Sequence, residues 1–246
     1  DILAVKDGFS SITIGDGTSG NVIVDGATFL DNLTIVSGAD LTVQTAALST
    51  TGSIALSADG NVVANHSVIA TTTNAITADV DNSGAGNITI NAGSGGTSGI
   101  RGTSVTLSSG GSATDVTISD DFDNTSGTVV FADALNQITL NAGVVTDGDI
   151  DFGNNTVIAG ASVTVSADKA AADPARVITL GDIGETAATV TLAGNTLTLD
   201  AGTGSAKIYA STTSGGGIVI ADANELHLTG GTVTVKAIGS TSIQGD

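Results

Sequence analysis

Residues 33–58 read LTIVSGADLTVQTAALSTTGSIALSA, and two features of this stretch decide the fold. Leu33-Thr34-Ile35, Leu41-Thr42-Val43 and Ile54-Ala55-Leu56 each set two aliphatic residues around a small or hydroxyl-bearing one. In an extended chain successive side chains point to opposite faces, so each triplet reads as a short strand with one apolar side. The second feature is the interval from Leu33 to Ile54, a period of about 21 residues. It recurs from Ile12 to Leu33, from Ile54 to Ile76, from Val129 to Ile150 and from Leu197 to Ile218. Similar triplets continue at Ile88, Val105, Val116, Ile138, Val163, Ile178, Val190, Leu197 and Val233. A recurring interval of this size is the mark of stacked repeats, and the expectation is an all-β parallel β-solenoid of roughly 8 to 11 coils. At about 4.8 Å per coil it forms a rod of about 40 to 50 Å.

Composition agrees. Val, Ile, Leu and Ala supply the apolar residues, with no Trp, Cys or Met and with Phe9, Phe29, Phe122, Phe131, Phe152 and Tyr209 as the aromatics. A narrow solenoid interior fills with stacked aliphatic residues and needs few large rings. The 34 glycines, together with Asp, Asn, Ser and Thr, are turn formers, and of the 25 acidic residues just Glu185 and Glu225 are glutamate. A net charge of −19 opposes nucleic acid and anionic lipid surfaces, so neither a nucleic-acid partner nor membrane insertion is expected. The chain reads as one solenoid domain over 1–246, expected to be a segment or unit of a longer rod, because neither end carries a charged or helical cap.

A longer word follows several strands: IALSAD at 54–59, ITINAG at 88–93, ITLNAG at 138–143, VTVSAD at 163–168 and LTLDAG at 197–202. Its polar residue can bond the backbone where the strand ends, and Gly or Asp tolerates a left-handed corner. Asn91, Asn141 and Asp200 fill matching slots, where a polar ladder between coils is the alternative and simple turn residues are the preferred reading. The stretch 166–176 breaks the pattern with an alanine run, Pro174 and two basic residues, Lys169 and Arg176. It is expected to protrude as a loop; Lys169, Pro174 and Arg176 are candidates for docking on a neighbour's acidic face, with a tolerated surface insertion as the preferred reading.

The strings GNITINAG at 86–93, QITLNAG at 137–143, SIALSADGNV at 53–62 and NTLTLDAG at 195–202 resemble the repeats of filamentous-haemagglutinin-like large exoproteins, adhesins exported by two-partner secretion. The likeness runs over most of the chain in degenerate words. It implies a right-handed parallel β-helix shaft, export through an outer-membrane transporter, and roles in adhesion, aggregation or matrix formation. The Asn-Pro-Asn-Gly signature of that family's secretion domain is absent, since Pro174 follows Asp173. The resemblance is therefore to shaft.

Catalysis is not expected. Pectin-type hydrolases need grouped Asp residues with Gly-His-Gly and Arg-x-Lys, but His66 sits in Asn-His-Ser, His227 in Leu-His-Leu, and Arg101 and Arg176 have no lysine two residues on. Calcium is the one cofactor weighed. Asp120, Asp121 and Asp123 form one acidic turn, and Asp147, Asp149 and Asp151 form another, each able to offer hard oxygen ligands. A solvated turn is preferred, with Asp147, Asp149 and Asp151 outside and Ile150 and Phe152 inside. The Thr pairs Thr189/Thr191, Thr196/Thr198 and Thr232/Thr234 are spaced too irregularly for a flat ice-binding rank. The expected function is a structural and adhesive rod, secreted or at the cell surface, partnered by copies of itself or flanking repeats and by glycans or other surface ligands. The alternative is a β-helix that binds or cleaves carbohydrate.

Overall fold

The computed structural model describes residues 8–70, 75–80, 86–91, 100–110, 114–120, 122–124, 127–133, 135–167, 176–180, 189–192, 195–201, 205–211, 218–219, 225–229 and 232–238. They hold 28 strands, all paired in parallel, arranged as nine three-sided coils and the first strand of a tenth. The first coil comprises Ser11–Ile14, Val22–Val24 and Ala27–Phe29, and the second Asn32–Ser37, Leu41–Val43 and Leu48–Thr50. First strands of all coils form a ten-stranded sheet and second strands a nine-stranded one. The third face is divided into sheets of four and five strands, the break falling between Ile100–Arg101 and Phe122–Asn124.

The expected intervals are the register of the first face. Ile12 pairs with Leu33, Leu33 with Ile54, Ile54 with Ile76, and Val129 with Ile150. Most later coils are longer. The same column continues from Ile76 through Val105, Val129, Ile150, Ile178 and Ala206 to Val233, and every step except Val129 to Ile150 exceeds the early interval. Leu197 to Ile218 is therefore not a coil repeat. Leu197 on the third face pairs with Leu226, and Ile218 on the second pairs with Val190. In coils this long, the interval that carries Leu33 onto Ile54 falls one face short.

Burial follows the alternation. From the second coil on, the described triplets hide their outer two residues and leave the middle one at the surface, and Leu33, Ile54, Ile76, Val105, Val129, Ile150 and Ile178 stack as a column no more than 1% exposed. Full burial of one such side chain is worth about 1.5–3 kcal/mol. Phe131 and Phe152 stack in the same way, ring centroids 4.8 Å apart and planes 6° from parallel. That separation is the strand spacing itself, so register, not ring electrostatics, sets the geometry.

Corners must let one coil sit directly on the next. Gly127 and Gly148 show how tight this is, because a Cβ on Gly127 would lie 1.5 Å from the Thr103 carbonyl oxygen of the coil before. Inside the corners small hydroxyls satisfy the turning backbone. Ser37 Oγ shares its one proton between the Gly20 and Asp40 carbonyls, at 3.0 and 2.9 Å, and accepts the Ala39 N–H at 3.2 Å. Thr50 and Thr146 serve the third corner equivalently, donating to the carbonyls of Asp31 and Gly127. The stretch 166–176 also falls at this corner. Ten residues separate Ser166 from Val177, where the six preceding coils use two to four. Ser166 ends a strand and Ala167 is fully buried, so these two residues belong to the stack. Residues 168–175, with Lys169 and Pro174, lie outside the described residues.

Gly127→Ala is expected to lower unfolding free energy by about 3 kcal/mol in denaturant titration, since backbone must shift to admit the methyl. Gly17→Ala, at a position with open space around it, should change stability by less than about 0.5 kcal/mol.

Candidate functional site

The most extended polar constellation runs along the corner between the first and second faces. Asn21, Asp40, Asn61, Asn87 and Asp115 each stand immediately before a second-face aliphatic residue, one per coil. Each side-chain oxygen faces the next coil. Asn21 Oδ1 accepts the Asp40 N–H at 3.3 Å, Asp40 Oδ1 the Asn61 N–H at 2.8 Å, Asn61 Oδ1 the Asn87 N–H at 2.9 Å, and Asn87 Oδ1 the Asp115 N–H at 3.1 Å. Asn61 Nδ2 also donates to Asp40 Oδ1 at 2.9 Å, and Asn136 Nδ2 to Asp115 Oδ1 at 2.7 Å. Asn and Asp serve here because their short oxygen-bearing arms reach a backbone donor at the strand spacing, satisfying N–H groups that the turn leaves without a ladder partner.

Asn91 and Asn141 are corner residues, the preferred reading, and do not form a ladder with Asp200. Asn91 and Asn141 stand at one corner but two coils apart, with Ser119 between them, and Asp200 ends a third-face strand. The rung present joins Asn91 Nδ2 to Asn65 Oδ1 at 3.0 Å. The stronger signal in the sequence was the Asn or Asp directly preceding a triplet, as in Gly60-Asn61-Val62 and Gly86-Asn87-Ile88.

The acidic candidates are spread over different corners. Asp120 is half-buried between the second and third faces of coil five, and Asp147 half-buried between the third and first faces. Asp149 and Asp151 are exposed, with Ile150 and Phe152 fully buried. Asp149 Oδ1 accepts the Val177 N–H of the next coil at 2.8 Å, a ladder bond like those above. Asp151 Oδ1 accepts the Gly153 N–H at 2.9 Å, closing a turn in which Gly153 has φ +56°. Asp121 and the side chain of Asp123 lie outside the described residues, among which no group of three or more His, Asp or Glu is placed to hold a metal. Arg176 is half-buried beside Val177, and His66 half-buried at a corner of coil three.

The three Thr pairs fall on different faces, Thr189/Thr191 on the second, Thr196/Thr198 on the third and Thr232/Thr234 on the first. Coils six and seven form a shallow open groove. Val144 pairs with Val165, so the third-face strand of coil seven begins two residues ahead of its neighbour in coil six. The overhang of Ser162, Val163 and Thr164 faces Asn141, Ala142, Gly143 and Val145. This lining offers an amide, two hydroxyls and methyl groups, without charge or aromatic ring.

A scan against protein-family models finds no match, and neither do searches of curated proteins and of solved structures. The geometry alone gives an all-β parallel solenoid of stacked coils. No helix among the described residues is long and apolar enough to cross a membrane.

Asn61→Ala is expected to cost about 1 kcal/mol in denaturant unfolding, since the Asn87 N–H and Asp40 Oδ1 each lose a partner to water. Asp149→Asn, which keeps an Oδ1 for Val177, should stay within about 0.5 kcal/mol of the parent, whereas Asp149→Ala should lose about 1 kcal/mol. At the first coil, the Thr18 hydroxyl and the Thr18 and Ser19 groups donating to Asp16 hold its carboxyl below the ordinary carboxylate value. Stability from this turn is present above the unfolded-state value and is lost as pH falls through the lower folded one. An NMR pH titration should find Asp16 titrating below Asp16 in a Thr18→Ala variant.

Proposed function

We propose that the chain is a shaft segment of an exported surface or matrix filament, a structural and adhesive rod without catalysis. The observation that carries this reading is the parallel stack of coils, in which the apolar side chains of the first coil are less buried than their partners in the second. Ile12, Ile14, Val22 and Val24 are half-buried, while their partners Leu33, Ile35, Leu41 and Val43 are at most 1% exposed. Phe9, Ile23 and Leu30, the large apolar side chains exposed among the described residues, belong to the same end, at 54, 59 and 53%. Another parallel coil, from flanking repeats or from a second copy, would bury the inward Ile12, Ile14, Val22 and Val24 and pair the strand edges. Copies joined in this way meet head to tail through unlike surfaces, which generates filaments and not closed dimers. The resemblance to exoprotein shaft repeats supports an extracellular setting and an adhesive use.

The groove at Asn141–Gly143 and Ser162–Thr164 favours a second reading, in which the rod binds a glycan through neutral hydrogen-bonding groups. Electron microscopy of the purified chain, with and without calcium, tests the main reading. Rods that lengthen with concentration in both conditions are expected, and compact particles of fixed size would count against it. Glycan-array binding abolished by Ser162→Val with Thr164→Val would move the second reading ahead.

A further inference from the structure

The outward column of the second face is free of charge along its described side chains, in a chain of net charge −19. In register it runs Ile23, Thr42, Val63, Thr89, Thr117, Thr139, Ile158 and Thr191, all β-branched and uncharged. The corresponding column of the first face contains Asp151, and that of the third contains Arg101. Ile23 is 59% exposed, and the other members through Thr191 are half-buried, so their methyl and hydroxyl groups form a low, even surface.

We propose that this second face docks laterally against the same face of a second copy of this chain. The choice of partner rests on charge and shape. Two rods of like charge repel wherever carboxylates meet, and this column is a strip along which they approach without a charge between them. Sheets pack face to face about 10 Å apart, and β-branched side chains at one per strand interdigitate at that distance. Asp25, Asp40, Asp115 and Asp120 border the strip and fall within about one Debye length of their counterparts at about 0.1 M salt. Screening should therefore strengthen the contact.

Area sets the strength. Eight strands about 4.8 Å apart, each about 10 Å wide, offer about 400 Å² per copy, about half the roughly 800 Å² of a stable interface. A rod of this length pairs weakly, and each added coil enlarges the contact. This surface is distinct from the coil ends that carry the proposed head-to-tail growth, so the two readings fail separately.

Small-angle X-ray scattering of the full chain between about 20 and 500 mM NaCl tests the proposal, because lateral pairing doubles mass per unit length while end-to-end growth leaves it unchanged. Mass per length rising toward twice the single-rod value with salt is expected. Thr117→Glu with Thr139→Glu should weaken pairing about tenfold or more, while Thr34→Glu with Thr106→Glu on the first face should leave it unchanged. Single-rod mass per length at every salt concentration, a measurement needing no variant, would overturn the proposal. So would equal loss in both variants with their circular dichroism intact.

Discussion

Everything in this molecule depends on the hydrogen-bonded register between one coil and the next. A strand of three residues contributes too few ladder bonds and too little apolar area to persist alone. Stacked in register, Leu33 lies on Ile54 and Ile54 on Ile76, and each coil completes the burial of its neighbours. Stability is then a sum over nearest-neighbour interfaces. The corners are subject to the same condition, since a turn succeeds only if its backbone polar groups find partners at the strand spacing. The relay from Asn21 through Asp40, Asn61 and Asn87 to Asp115 meets it with side-chain oxygens, while Ser37, Thr50 and Thr146 meet it from inside.

This division of labour explains what the sequence disclosed. The faces were legible because alternation and the interval from Ile12 to Ile76 are direct consequences of pleat and stacking. Later coils were less so, since the number of residues between paired strands varies and erases the period without disturbing the ladder. Leu197 and Ile218 kept the right spacing by coincidence while lying on different faces. The division of the third face and the two-residue step at Val163 arise from how neighbouring coils align, which no single triplet encodes.

Polar residues were harder to place than apolar ones. Asn91 and Asn141 were recognisable as corner residues, but the partner of Asn91 is Asn65, which precedes His66 in a word of different appearance. Asp147, Asp149 and Asp151 look like one acidic cluster in the sequence, yet the chain turns through a corner there, and Asp149 and Asp151 each accept a backbone N–H. An acidic word in a solenoid is first a means of turning.

The account stands on in-register pairing of residues a coil apart. The chain has no cysteine, so an introduced pair reports without background. Thr42→Cys with Val63→Cys, outward partners on adjacent coils, places two Cα atoms about 5 Å apart, within disulfide range. Mild oxidation of dilute protein should close this bond within one molecule, while Thr42→Cys with Ile69→Cys, on different faces, should stay reduced. A crosslink in the second pair and none in the first would contradict the three-sided parallel stack.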